Sequence, residues 1–159
     1  MSKAVLISIR PKWCDLIASG QKTIEIRKTR PKLETPFKVY IYQTLPKSGD
    51  WNDRDGNVIG EFVCDEIIVD KHGENALLFE NKGRVPFDVQ KKYAQKQILY
   101  GWHISELKIY DKPKELREFM QCHKCEYYSG CKEHEYGCDG IYKVKRPPMS
   151  WCYVEELTI

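Results

Sequence analysis

The sequence of 159 residues lacks any long apolar run. Near its start, only residues 4–9 resemble a strand before Arg10 interrupts them, and this stretch is too short for a signal peptide or a membrane span. The sequence also lacks an internal repeat and a low-complexity tract. We therefore expect a single cytoplasmic domain, spanning residues 1–159 and built around one core, without a membrane partner.

A strong overall charge is absent as well. The formal net charge is +3 and the pI is about 8.4, which predicts poor affinity for plain duplex DNA. The positive charge is nevertheless concentrated. Residues 1–32 contain eight Lys or Arg against two acidic residues, a net charge of +6, whereas the remainder carries −3. The first 32 residues are therefore the strongest candidate for contact with an anionic partner.

The segment 20–27 lies inside this basic region. A strand over 4–9 and a short helix that starts at Pro11 precede it, and Gly20 suits the left-handed residue that ends a helix. The alternation that follows places the two isoleucines on one face and Glu25 and Arg27 on the other. The pattern alone also fits a sheet edge that faces water, but the local charge favours a binding role.

Four residues in this segment, spaced Gly20-x-Lys22-x-x-Glu25-x-Arg27, resemble the signature of the ASCH (activating signal cointegrator homology) domain family in the PUA-like group. The stretches 58–65, 102–110 and 147–154 resemble other strands of bacterial and phage proteins of this family. The resemblance covers most of the chain except 43–57 and 121–140. It implies an α+β fold, a PUA-like small mixed β-barrel with a few flanking helices, and RNA binding.

The rest of the sequence predicts further elements. Gly60 marks a bulge or a close backbone approach. The helix over 86–99 would present Val89 and Tyr93 on its apolar face. Strands are predicted over 37–42, 58–69, 102–110 and 149–157, and helices over 86–99 and 113–119.

RNA binding, which the resemblance implies, agrees with the charge distribution, because cations neutralise phosphates and aromatic rings stack on bases. Glu25 would hold Arg27 or Lys22 in place or accept a hydrogen bond from a base amino group. Candidate ligand-binding residues are Arg10, Lys12, Trp13, Lys22, Glu25, Arg27, Lys28, Arg30 and Tyr42. Trp102 and Trp151 are further stacking candidates, with a core position as the alternative for each tryptophan. A regulator that recognises a small nucleotide or modified base is a third interpretation.

The main alternative is a hydrolase that acts on RNA or a modified nucleoside, with Lys22 and Glu25 as the catalytic residues. Some proteins similar to this fold are amidohydrolases that act on acetylated cytidine, with a lysine followed three residues later by a threonine. Here Glu25 replaces that threonine, which argues against the same reaction but still permits general-base chemistry. Glu61, His103 and Glu106 are candidates for a second catalytic group only because they lie on predicted strands.

Four of the seven cysteines fall within 17 residues, as Cys122-x2-Cys125-x5-Cys131-x6-Cys138. Four thiolates can complete a tetrahedral zinc site, and zinc would stabilise the insertion 121–140, which has few apolar residues of its own. An Fe–S cluster, a ligand role for His123 or His134, and free thiols remain alternatives. The other cysteines, Cys14, Cys64 and Cys152, occur in apolar surroundings and are predicted in the core.

Overall fold

The computed structural model describes residues 2–45, 56–122 and 141–158. Within these ranges it contains eight strands in one mixed sheet, three α-helices and a short 3-10 helix over Leu116–Glu118. The strands are β1 (Lys3–Ile9), β2 (Ile24–Arg27), β3 (Phe37–Gln43), β4 (Asn57–Asp70), β5 (Leu99–Lys114), β6 (Met120–Cys122), β7 (Ile141–Lys143) and β8 (Trp151–Glu155). The α-helices are α1 (Pro11–Ala18), α2 (Ala76–Gly83) and α3 (Phe87–Ala94). None of the helices in these ranges is long and apolar enough to cross a membrane.

Among the described residues the strand order is β2-β5-β4-β3-β1-β8-β6-β7, and only β1 and β3 pair in parallel. The prediction of an α+β fold is therefore confirmed. The prediction of a closed barrel is wrong for the described residues, because β2 and β7 are the two edges of an open sheet. In the described part of the chain, β2 pairs through its backbone with β5 and with no other strand.

Side chains instead connect the β2 end of the sheet to β8. Arg27 donates from Nη1 to Ser150 Oγ at 3.2 Å, and Trp151 Nε1 donates to Thr29 Oγ1 at 2.9 Å. The backbone N–H of Lys32 donates to Tyr153 Oη at 2.8 Å. The sheet therefore curls toward itself, and polar side chains bridge the gap that a barrel would close with a strand ladder.

Three apolar clusters in the described part of the chain stabilise this arrangement. The largest joins α1 to the central strands, and fully buried Trp102 lies within it. A second surrounds Tyr40 and Phe119, whose rings meet edge to face at 4.9 Å. In a third, α2 places Phe79 over β2, which buries Ile24 and Ile26. The isoleucine face of β2 thus meets a separate small core beneath α2.

Most predicted elements occur, with differences that have physical causes. The helix predicted over 86–99 is only Phe87–Ala94, because Gln95 and Lys96 adopt left-handed conformations. The helix predicted over 113–119 is reduced to its 3-10 turn, because β5 continues to Lys114. Helix α2 was not predicted from the sequence.

Two glycines behave as predicted. Gly20 follows α1 with φ of 77°, in the left-handed region that glycine adopts at little cost. A Cβ on Gly60 would lie 2.5 Å from the carbonyl oxygen of Lys108, so a side chain there would collide with β5. The β4–β5 pairing also shifts register between Val58 and Gly60, which confirms the close approach and the irregularity.

The predicted metal-binding insertion falls largely outside the described residues. Cys125, Cys131 and Cys138 lie there, as does the side chain of Cys122, whose backbone ends β6. Cys122 and Ile141 are register partners in the β6–β7 pair, so the sheet holds the two ends of the insertion side by side. Of the remaining cysteines, Cys14 and Cys64 are buried as predicted, whereas Cys152 is half-buried.

Candidate functional site

The turn between α1 and β2 positions Lys22. After Gly20 ends the helix, the backbone N–H of Lys22 donates back to Leu16 O at 2.9 Å. The N–H of Thr23 donates to Lys82 O at 2.8 Å, which ties this turn to α2. Lys22 is thereby held between two helices, and only 2% of it is exposed.

The Lys22 ammonium lies among buried polar partners. It donates to the carbonyl oxygen of Gly83 at 2.6 Å and lies 3.3 Å from Glu25 Oε2. It is also 4.9 Å from the centre of the Trp13 ring, within cation–π range. Burial lowers the pKa of Lys22 below its ordinary value, although the Glu25 carboxylate opposes this shift. A lysine with a lowered pKa in a cleft is a recurring feature of functional sites.

Arg27 completes the arrangement from the far end of β2. Its Nε donates to Glu25 Oε1 at 3.1 Å, and its Nη2 lies 3.0 Å from the same oxygen. Nη2 also donates to Ser8 O at 2.6 Å, and Nη1 donates to Ser150 Oγ. Glu25 is 5% exposed and lies between the two cations. We refer to Lys22, Glu25 and Arg27 as the floor cluster.

The floor cluster forms the buried base of an open cleft with a volume of about 510 Å³, here called the Lys22 cleft. Helix α1 contributes Trp13, and α3 contributes Val89, Gln90 and Tyr93. The full lining is Ser8, Arg10, Trp13, Lys22, Glu25, Ile26, Arg27, Thr44, Val85, Val89, Gln90, Tyr93, Met149 and Ser150. The cleft therefore combines a charged floor with largely apolar and aromatic walls.

Further cations surround these walls. Arg10 lines the cleft and is exposed. Lys12 Nζ lies 4.8 Å from the centre of the Trp13 ring, and Lys28 Nζ lies 4.7 Å from the centre of the Tyr93 ring. We call Arg10, Lys12 and Lys28 the rim cations. Within the described part of the chain, no carboxylate forms an ion pair with any of them.

The structure separates other predicted site residues from the cleft. Tyr42 is 6% exposed and packs in the second apolar cluster, so its ring cannot serve as a stacking surface there. Trp102 is fully buried, and Trp151 packs against it at a ring distance of 6.0 Å. Arg30 does not line the cleft, and its Nε donates to the adjacent Pro31 O.

None of the three second catalytic groups suggested by the sequence lines the Lys22 cleft. Glu61 pairs with Lys38 and accepts a hydrogen bond from Tyr110. His103 pairs with Asp65 at 2.6 Å on the surface. Glu106 lines a separate cavity of about 650 Å³. A second carboxylate or histidine therefore does not accompany Lys22 and Glu25 among the described residues that line this cleft.

Helix α3 supplies the cleft residues that sequence analysis missed. The helical pattern identified Val89 and Tyr93 as an apolar face, but these residues are 44% and 40% exposed and line the cleft. The buried residue of α3 is Gln90, whose Nε2 donates to Ala76 O and Val85 O. Gln90 lies between Val89 and Lys91 in the sequence, and no pattern there indicated that its amide binds α3 to the α2 region.

No group of three or more metal-ligating side chains is present in residues 2–45, 56–121 and 143–158. The buried thiol of Cys14 also has no evident role in the site. Burial, with a smaller contribution from the charge of Glu25, raises its pKa to about 12. It is therefore a neutral core group at ordinary pH and not a nucleophile.

Comparisons with known proteins agree with this description of the fold. A family model described as the ASCH domain matches residues 7–148. The crystal structure of an ASCH protein from Zymomonas mobilis is 20% identical, with a TM-score of 0.57, over 96% of this chain and 88% of the other. A tyrosine-to-phenylalanine mutant of that protein gives 19% identity and a TM-score of 0.58, over 98% and 92% of the two chains. A comparison with curated proteins finds no match.

Proposed function

The chain belongs to the ASCH domain family, and we propose that it binds single-stranded RNA, or a nucleotide-like piece of it, in the Lys22 cleft. ASCH domains are generally proposed to bind RNA. The observation that carries the proposal is one cleft that combines partly exposed aromatic and apolar walls with rim cations that have no carboxylate partner among the described residues. Cations attract the phosphates, and rings provide stacking surfaces for bases, which are the two needs of single-strand binding.

The charge of the cleft supports an anionic ligand. Among the described residues its lining contains Arg10, Lys22 and Arg27 against one carboxylate, that of Glu25, and Lys12 and Lys28 lie beside its two rings. The cleft is too small to enclose a duplex, because a volume of about 510 Å³ is in the range of small-ligand pockets. A few nucleotides of a flexible strand are therefore the form of nucleic acid that suits it best.

The test is the fluorescence anisotropy of a labelled eight-residue RNA over a range of salt concentrations. We expect Lys12→Ala and Lys28→Ala each to weaken binding. Each should also make the slope of log affinity against log salt concentration shallower by about 0.7 per lost phosphate contact. Lys3→Ala is the matched control, because Lys3 also lies over a ring, that of Tyr153, but away from this cleft. An affinity that salt and all three variants leave unchanged would overturn the proposal.

The hydrolase alternative is supported by one specific observation, the lowered pKa of buried Lys22 beside Glu25. Such a lysine is closer to the proton affinity that a general acid or base requires. A catalytic role predicts that Lys22→Ala and Glu25→Gln abolish turnover of the RNA, with folding checked by circular dichroism. Binding of the RNA without any cleavage by the wild-type protein would exclude this alternative for that substrate.

We also propose that Cys122, Cys125, Cys131 and Cys138 bind structural zinc. The spacing of the four thiols supports it, and so does the β6–β7 pair that holds the ends of the insertion together. We expect one zinc per chain by elemental analysis of the reduced protein and its loss in Cys125→Ser, with Cys152→Ser as the control. A folded, reduced protein without bound metal would contradict the prediction.

A further inference from the structure

The floor cluster has few hydrogen-bond donors left for a phosphate. Each of the three guanidinium nitrogens of Arg27 already has a protein acceptor: Glu25 for Nε, Ser150 for Nη1 and Ser8 for Nη2. The Lys22 ammonium is shared between Gly83 O and the Glu25 carboxylate. Two positive charges and one negative charge leave the cluster with a formal charge of only +1.

The same cluster contains a buried acceptor that lacks a well-aligned donor. Glu25 Oε2 is buried and accepts no hydrogen bond, although it forms an ion pair with Lys22 Nζ at 3.3 Å. A buried carboxylate oxygen in this condition is costly, and a ligand N–H would satisfy it. A phosphate cannot satisfy it, since its oxygens would repel the carboxylate in a poorly hydrated place.

The walls above the floor cluster suit a flat, uncharged ring. Trp13 and Tyr93 offer aromatic surface, and Val89 and fully exposed Met149 add apolar surface. The rim cations Lys12 and Lys28 lie beside the two aromatic rings. Neutral contacts therefore dominate the walls of the cleft, and the cations that have no carboxylate partner among the described residues lie at its rim.

From these observations we infer that the floor of the Lys22 cleft reads the hydrogen-bonding edge of a nucleobase, while the rim cations contact phosphates. The inference rests on the proposed function and specifies the chemistry of its site. A base N–H donates to Glu25 Oε2, and an adjacent base acceptor faces the Lys22 ammonium. Because Oε2 is closed to water in this structure, side chains that cover it, including Lys22, shift as the base enters.

The test compares tetraribonucleotides of uridine, cytidine and adenosine with matched oligomers whose base N–H groups are methylated. These replacements are N3-methyluridine, N4,N4-dimethylcytidine and N6,N6-dimethyladenosine, which keep every phosphate and ribose. An abasic tetramer is the fourth probe. For the tightest of the unmodified oligomers, we expect at least tenfold weaker binding by its methylated partner and by the abasic tetramer.

Methylated or abasic oligomers that bind within twofold of the unmodified one would overturn the inference and leave the proposed RNA binding intact. Failure of every oligomer to bind would overturn both. Glu25→Gln separates hydrogen bonding from simple crowding by the methyl groups. We expect the penalty for methylation to shrink in this variant, since an amide NH₂ replaces the acceptor. An undiminished penalty in a folded variant would indicate crowding and contradict the inference.

Discussion

Two lysine–carboxylate clusters in this protein have the same N–O distance and opposite pKa shifts. Lys22 lies 3.3 Å from Glu25, with side-chain exposures of 2% and 7%. Lys38 lies 3.3 Å from both Glu61 and Glu156, where the exposures are 21%, 20% and 36%. Burial lowers the pKa of Lys22 more than its partner raises it. Burial also acts to lower the pKa of Lys38, but two carboxylates outweigh it and the pKa is raised.

The cavities beside the two clusters differ in the same way. Lys38 lines the larger one, of about 650 Å³, and Lys22 the smaller, of about 510 Å³. The larger cavity is lined by two lysines and by four acidic residues, Glu34, Asp65, Glu106 and Glu156, so its lining is negative. The smaller has a positive lining, with three cations and one carboxylate. Charge and burial, rather than volume, are thus the reasons to propose the Lys22 cleft, and not the larger cavity, as the site for an anionic ligand.

The largest expected difference is in stability after a carboxylate is removed. Glu25→Ala leaves the charges of Lys22 and Arg27 without their shared partner in a buried place, which costs about 3–5 kcal/mol of unfolding free energy. Glu61→Ala removes a partly exposed partner of Lys38 and is expected to cost about 1 kcal/mol, because solvent screens the pair. Urea unfolding followed by circular dichroism measures both. Equal losses of unfolding free energy in the two variants would show that burial does not make the Glu25 cluster more important for stability than the Glu61 cluster.

The next difference concerns ligand binding. Lys22→Met removes the ammonium at the floor of the cleft while it keeps the length of an unbranched side chain. We expect at least tenfold weaker binding of the eight-residue RNA, which corresponds to about 1.4 kcal/mol. Lys38→Met is the matched control and should bind within about twofold of the wild type, since its lost charge lies at the other cavity. A greater loss in Lys38→Met would move the proposed site to the larger cavity.

The sequence predicted the chemistry of the floor cluster better than its surroundings. Spacing within the short segment 20–27 was enough to group Lys22, Glu25 and Arg27, because those contacts are local. The contributions of α3 and Ser150 depend on how distant segments pack, which alternation and helical periodicity do not encode. Tyr42 was misjudged for the same reason, because its burial depends on Val58 and Phe119 in other elements.

The barrel prediction had a related weakness. Hydrophobic patterns identified most of the strands, but closure depends on whether the two edge strands can form backbone hydrogen bonds. In the described residues, side-chain hydrogen bonds connect the β2 end of the sheet to the start of β8 instead, from Arg27 to Ser150 and from Trp151 to Thr29. Sequence patterns do not distinguish a strand ladder at the edge of β2 from side-chain bridges between β2 and the start of β8.

A smaller effect should appear when stability is measured against pH. The pKa of Lys22 is lowered from 10.5 in the folded protein. Between the folded pKa and 10.5 the unfolded chain therefore binds more protons, so the cost of burying the Lys22 charge is relieved and stability rises as pH rises toward 10.5. The pKa of Lys38 is raised, so its stabilisation is present below 10.5 and is lost as pH rises through the folded pKa. Subtracting the curve of each Lys→Met variant from that of the wild type should give slopes of opposite sign. Slopes of the same sign would contradict the assigned shifts.

The smallest effect is expected where the distance is shortest. His103 Nδ1 lies 2.6 Å from Asp65 Oδ1, but these side chains are 37% and 46% exposed. The hydrogen bond from His103 lowers the pKa of Asp65 below 3.8, so its contribution is present above that pH and is lost as the carboxylate is protonated in acid. Because water and salt screen an exposed pair, we expect His103→Ala to reduce the unfolding free energy by less than about 1 kcal/mol near neutral pH. A loss as large as that in Glu25→Ala would mean that distance outweighs burial, and the contrast between the two lysine clusters would then need a different explanation.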